Sequence, residues 1–239
     1  MKIFVGSDIN PASTLQILQT GYWFNSLPDE LRIAIMAAAK IVRLESGQQL
    51  FFQGDSEHGL YAVISGGISI SRQREDGKEA LLTIIDSPNW FGEITLFDRG
   101  CRTHDAIAVS KTVLVEISGK ALDQLLSEQA SYWQYFGQLL ILKMRTLLDV
   151  SEDMALLSNA QRLVKRLLLM ATSNNEITGH SKRIIELQQE QLAMMLFITR
   201  QTTNHILKNL ERHGLIKLIY GKIEILDIKG LQHYVEHSS

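Results

Sequence analysis

The sequence predicts an α+β fold in three parts. An N-terminal antiparallel β-roll of jelly-roll type comes first, then a long helix, then a smaller part in which two short helices precede a hairpin. Three observations carry that prediction. Between Ile41 and Ile117, short β-branched segments alternate with glycine turns. From Leu122 to Ser158 the only glycine is Gly137 and there is no proline. After Ser173 a polar stretch gives way to helical periodicity and then to the alternating run KLIYGKIEIL.

Size and charge bound what such a chain can be. At 239 residues it suits one or two domains, and 45% hydrophobic against 21% charged residues is ordinary for a soluble globular protein. The longest apolar run, IAIMAAA at 33–39, is far short of the ~20 residues that span a bilayer. MKIFVGSDINPAS lacks the apolar centre of a secretory signal. The single cysteine, Cys101, excludes an intramolecular disulfide, so a reducing cytoplasm is the expected home and no membrane is an expected partner. The net charge of −2 is unevenly spread. Residues 1–157 carry 13 Lys and Arg against 19 Asp and Glu (−6), and residues 158–239 carry 11 against 7 (+4). The basic end points weakly to nucleic acid.

Taken in order, residues 21–40 read as helix, with Pro28 at a helix start and Asp29 and Glu30 in the first turn, where they complement the dipole. The β region follows, with LYAVI, ISISRQ, ALLTII and TVLVEI as strands and SGQ, QGD, SGG and SPN as turns. Asp76-Gly77 is a strong hairpin signal. So many short strands call for a closed roll.

In the next segment Trp133, Leu140, Leu147 and Met154 recur every seven residues, with Phe136, Met144 and Leu157 beside them. They mark an apolar seam on a helix of about 25 residues, roughly 38 Å long. Packing on its own domain is one use for the seam. The length exceeds what a small roll covers, which favours a helix–helix homodimer through Phe136, Leu140, Met144, Leu147 and Met154. The expected divisions are 1–121 for N-terminal helices and roll, 122–158 for the dimerisation helix, and 159–239 for the last part.

That last part has a tight turn at Leu196–Thr199, with Thr199 placed as an N-cap. From Arg200 on, Thr203, Ile206, Leu207 and Leu210 fall within one arc of about 100°. Arg200, Gln201, Asn204, His205 and Lys208 fall on the opposite side. Gly214 ends the helix, and KLIYGKIEIL turns near Gly221. Helix, turn, helix and hairpin make a winged helix-turn-helix. A helical hairpin with an ordinary solvated face is the plainer reading. The polar face, the turn, the hairpin and the positive charge together favour double-stranded DNA. Arg200 and Gln201 are placed to read bases, and Thr202, Asn204, His205 and Lys208 to reach bases or phosphates.

From about Gly21 the chain resembles the Crp–Fnr family of bacterial transcription regulators. The resemblance rests on FFQGD, LYAVISGGISI and DGKE in the roll, on FGEITLF followed by RTHDA, on the long helix, and on TRQTTNHILKNLERHGLI. It implies a homodimer on a two-fold operator, an effector in the roll, and RNA polymerase as a further partner. In cyclic-nucleotide-binding members a Gly-Glu pair and an Arg-Ser or Arg-Thr pair line a phosphate cassette. By position these are Gly92, Glu93 (with Ile94 following), Arg102 and Thr103. The carboxylate would accept from a ribose hydroxyl, and the guanidinium and hydroxyl would clamp the cyclic phosphate of cyclic AMP or another cyclic nucleotide. The corner between the pairs is one residue shorter than in the best-known member, so Arg102 is matched by its following hydroxyl. The positions that bind adenine in that member fall on Leu147 and Leu148, with Thr146 just before; a leucine pair predicts weak discrimination between adenine and guanine.

Alternatives remain at this level. Glu93 and Arg102 could be a structural pair in a roll that binds nothing. Cys101, His104 and His58 could serve haem or redox sensing. The C-terminal part could bind protein rather than DNA. Trp90 and Phe91 read as core rather than as a platform for a base. With no nucleophile–base pair, P-loop or zinc-type cluster, an enzyme is not expected.

Overall fold

A computed structural model describes residues 11–73, 79–172 and 184–237. Three helices open it: α1 (Pro11–Gln19), α2 (Tyr22–Asn25) and α3 (Asp29–Ala38). The expected helix over 21–40 is thus two helices, because Pro28 holds an extended ψ of 149° and starts α3 afresh. Strands β1 (Lys40–Leu44), β2 (Gln49–Phe51), β3 (Gly59–Ser65), β4 (Gly67–Gln73), β5 (Glu79–Asp86) and β6 (Trp90–Phe91) follow. Then come α4 (Ile94–Asp98), β7 (Asp105–Ala108) and β8 (Thr112–Ser118). They form two four-stranded sheets, β1-β8-β3-β6 and β2-β7-β4-β5, and every strand pair is antiparallel. The Asp76-Gly77 turn lies outside the described residues, but β4 and β5 on either side pair from Gly67↔Asp86 to Gln73↔Glu79.

Two apolar layers hold this roll. One lies between the sheets and contains Val42, Tyr61, Val63, Ile68, Phe91, Ala106 and Leu114. The other packs the helices on the first sheet, with Trp90 at its centre. Phe24 stacks on Trp90 at 5.5 Å, and Trp23 meets Trp90 edge-on at 5.3 Å. Trp90 and Phe91 are both core residues, as expected.

The segment expected as one helix from 122 is two. Helix α5 (Gly119–Glu128) starts at Ser118, whose side chain accepts from the Ala121 amide. It ends where Gln129 turns to φ −139°, ψ 87°, and a single 3₁₀ turn over Ala130–Tyr132 leads into α6 (Trp133–Leu156). Its 24 residues match the expected length. Phe136 is corrected from the proposed seam. It is fully buried in the roll's own core, 5.8 Å from the Trp23 ring, while Trp23 Nε1 donates to the Tyr135 carbonyl at 2.7 Å. The first turns of α6 are thereby committed to the roll. Leu140 is half-buried, and beyond it Met144, Leu147 and Met154 are exposed, Leu147 to 61%.

The chain divides into two compact units, Met1–Met144 and Arg145–Ser239. In the second, α7 (Asn159–Thr172) is followed by β9 (Ile184–Glu186), α8 (Gln189–Leu196), α9 (Arg200–Arg212), β10 (Ile216–Ile219), β11 (Lys222–Ile225) and α10 (Ile228–His237). The hairpin is widened to a three-stranded sheet, β10-β11-β9. Among the described residues no helix is long and apolar enough to cross a membrane.

Candidate effector cassette and nucleic-acid interface

The stretch expected to be a polar corner is a short helix. β6 delivers Gly92 with φ +100°, and a Cβ there would lie 2.5 Å from the Gly59 carbonyl oxygen, so only glycine fits. Glu93 then starts α4, and Arg99, in the left-handed region at φ 55°, ends it. Thr95 Oγ1 donates to the Gly92 carbonyl at 3.2 Å and stitches the helix to that turn. Ile94 is exposed on the outer side.

Glu93 and Arg102 are both buried, at 3% and 4% exposure. Burying two charges is unfavourable unless each has partners. Arg102 donates from its two terminal nitrogens to the carbonyls of Gly92 and Gly59, both at 3.2 Å. Its guanidinium lies 4.3 Å over the Phe51 ring and 5.5 Å over that of Tyr61. Desolvation pulls the Arg102 pKa below its ordinary value, and burial pushes the Tyr61 hydroxyl up to about 12. The Arg102 Nε–H is buried without a partner. A buried cation with an unpaired N–H is chemistry compatible with an anion at this end of the cassette.

At the other end, Glu93 Oε2 accepts from Lys143 Nζ of α6 at 2.7 Å. Sequence reading did not assign Lys143. Its signal was a cation inside the apolar run LLILKM, four residues before Leu147. Thr103 is exposed, and its hydroxyl lies 2.8 Å from His104 Nδ1.

The residues set aside for metal or haem are not gathered. Cys101 is exposed, and burial, then Arg72, lowers the His104 pKa. His58 Nε2 lies 2.6 Å from a terminal nitrogen of Arg99 and 3.2 Å from Asp123 Oδ2, and Arg99 also donates to Asp123 Oδ1 at 2.6 Å. This network joins the end of α4 to α5.

In the second unit α9 has the predicted geometry. Thr203, Ile206, Leu207 and Leu210 are its buried residues, and the Thr199 side chain accepts from the Thr202 amide at 3.1 Å. Gly214, with φ +69°, lets the Leu215 amide reach the Leu210 carbonyl at 3.1 Å and closes the helix. Arg200, Gln201, His205 and Lys208 are exposed together. Thr202 is half-buried at the cap. Asn204 is less available: its amide donates to Gln189 Oε1 at 2.9 Å and braces α8 against α9. Arg200 has a long contact, 4.0 Å, with Glu190. At the hairpin tip Tyr220 is wholly exposed.

Known proteins match both units. The cyclic nucleotide-binding domain family matches residues 41–129, and the Crp-like helix-turn-helix domain family matches residues 161–234. A CRP-like cAMP-activated global transcriptional regulator of Mycobacterium tuberculosis is 27% identical over 217 residues, covering 90% of this chain and 97% of its own. The cyclic AMP receptor protein of Thermus thermophilus is 25% identical over 205 residues, covering 86% and 92%. Among solved structures, a CRP/FNR-family transcriptional regulator of Thermus thermophilus has a TM-score of 0.62 at 24% identity, over 84% of this chain and all of its own. FixK2 of Bradyrhizobium japonicum has a TM-score of 0.70 at 14% identity, over 82% and 96%, a likeness of fold alone. With a cyclic nucleotide-binding roll, a long helix and a Crp-like helix-turn-helix in that order, the chain belongs to the Crp–Fnr family of transcription regulators.

Proposed function

We propose that this regulator is a homodimer that binds a cyclic nucleotide in the roll and a two-fold DNA operator through α9. The observation that carries the effector reading is the cassette itself. A buried carboxylate stands at one end and a buried guanidinium with an orphan Nε–H at the other, on the turns leading into and out of α4. The ribose hydroxyl donates to Glu93, and the cyclic phosphate accepts from Arg102 and Thr103. The cAMP-activated relative from Mycobacterium tuberculosis supports the ligand class.

Lys143 gives the ligand a route to α6. A ribose hydroxyl at Glu93 competes with or rearranges the Lys143 contact, and α6 also carries the exposed apolar seam. Binding thus shifts the population between dimers that hold two α9 helices at operator spacing and dimers that do not. Two-fold symmetry requires the seam to pair with itself, through Leu140, Met144, Leu147 and Met154. On DNA, Arg200 and Gln201 read bases at the N-terminal end of α9, with His205 and Lys208 further along.

Calorimetry with cyclic AMP and cyclic GMP tests the effector. Leu147 and Leu148 offer no polar group to a base, so both nucleotides should bind, with a preference below about 100-fold. Glu93→Ala should weaken both alike. A larger preference, or no binding of either nucleotide, would refute this reading.

A further inference from the structure

Helix α10 carries a cluster that the effector and DNA readings leave unused and that the expectation of no zinc-type cluster passed over. His233, Glu236 and His237 are exposed on its last turns, and each can present a ligand atom so that all three lie within 4.8 Å of one another. At 100° per residue they share an arc of about 100°, with the two histidines one turn apart. Their rings face each other, with centroids 4.0 Å apart and planes 29° from parallel.

One further contact, of the kind His213 also makes with the Asn209 carbonyl at the end of α9, sets the tautomer of His237. His237 Nδ1 lies 3.2 Å from the His233 carbonyl oxygen. A carbonyl only accepts, so Nδ1 carries the hydrogen and the lone pair is on Nε2. Ligating histidines are set in this way, with one ring nitrogen donating to a backbone carbonyl and the other left for the metal. Glu236 Oε2 stands 3.9 Å from His237 Nδ1, the nitrogen turned to the carbonyl, and supplies negative charge beside the ring. The site also lies at a helix C-terminus, where the partial negative charge of unpaired carbonyls favours a cation. The backbone beneath is held: Leu231 is buried, and Gln161 of α7 donates to the Val235 carbonyl at 3.0 Å.

We infer that His233, His237 and Glu236 form a surface site for one divalent transition-metal ion. Two imidazoles at i and i+4 on one helix face are a recurrent chelate for zinc-like ions. Bonds of about 2.0–2.1 Å to each nitrogen require the ligand atoms to close from their present spacing. Exposed side chains do this by rotating, without moving the backbone. Nitrogen-rich, carboxylate-poor ligation prefers Cu(II), Ni(II) and Zn(II), in the order set by intrinsic affinity, over Mg(II) or Ca(II). Solvent fills the remaining positions. A bound ion ties together the last turn of α10, the turn that contacts α7 through Val235, so loading should stabilise the helix-turn-helix unit. Neither the roll nor a cyclic nucleotide is involved.

The test is isothermal titration of the tag-free full-length chain with ZnCl2, NiCl2 and MgCl2, paired with thermal melts. The expected result is one Zn(II) or Ni(II) per chain, no heat from Mg(II), and a higher melting temperature with Zn(II). His233→Ala and His237→Ala should each weaken binding by about 100-fold, as expected when one arm of a chelate is lost, and should abolish the thermal shift. Glu236→Gln should weaken it less. All three residues are exposed, so these variants should melt like the parent without metal. Zn(II) binding unchanged in both histidine variants would overturn the proposal, as would a parent chain that takes up no Zn(II) or Ni(II).

Discussion

The proposed effector cassette around α4 and the proposed recognition helix α9 are built on opposite principles. In α9 the side chains proposed to read DNA are exposed and the apolar ones buried, so one periodicity separates Thr203, Ile206, Leu207 and Leu210 from Arg200, Gln201, His205 and Lys208. In the cassette the side chains proposed to hold the effector are themselves buried. Glu93 and Arg102 are as inaccessible as core leucines, and their partners come from distant segments: Lys143 for one, Gly59, Phe51 and Tyr61 for the other. An exposed reading surface tolerates change residue by residue. A buried charged cassette is coupled to the core that encloses it, so its substitutions should be larger and less separable.

The largest expected contrast is within α6. Phe136→Ala removes a fully buried ring from the roll's core and should cost about 3–5 kcal/mol of stability. Leu147→Asp changes an exposed residue, so each protomer should stay folded, but a charge placed in the proposed seam should give monomers. Chemical denaturation and analytical ultracentrifugation on both variants separate the two effects. A dimeric Leu147→Asp would move the interface elsewhere.

Next is the cassette cation. Arg102→Ala should lower cyclic-nucleotide affinity by about 3 kcal/mol, roughly 150-fold, as expected for a charge-assisted contact. Arg102→Lys retains charge but loses the fork over Phe51, and should recover only part of that affinity in calorimetry. Full affinity in Arg102→Ala would make the residue purely structural.

On α9 the effects should be smaller and separable. Arg200→Ala should lose about 1–3 kcal/mol of discrimination at one base pair. Lys208→Ala should weaken all sequences alike and lower the slope of log affinity against log salt by about 1. Titrations of specific and random duplexes at several salt concentrations read both. Equal losses on the two duplexes in Arg200→Ala would remove it from base reading.

The smallest effect concerns the network at the end of the cassette. The Arg99 hydrogen bond, with help from His58, holds the Asp123 carboxyl below its ordinary 3.8. A depressed carboxyl stabilises the fold above its unfolded pKa, and that stability is lost as pH falls through the lower folded value. Acid unfolding below about pH 4 should therefore begin at slightly higher pH in Asp123→Asn. With 43% of the Asp123 side chain exposed, solvent screening keeps the difference small.

By itself the sequence determined the order of the parts, the length of α6 and nearly all of the helix-turn-helix. Those features follow from local chemistry, namely β-branched runs between glycine turns, a glycine-poor apolar heptad, a threonine cap at Thr199 and a glycine at Gly214. Such signals act over a few residues, and a period survives whatever packs against it. Only the tertiary structure decided that Phe136 faces Trp23 rather than a second helix, that α5 and α6 are separate, that Asn204 braces α8, and that Lys143 meets Glu93. Lys143 and Glu93 are 50 residues apart in the chain. No period relates such a pair; it exists because closure of the roll brings α4 and α6 together and a buried carboxylate must find a cation. Buried charge is satisfied by whatever the fold brings near, and that can be read only once the fold is closed.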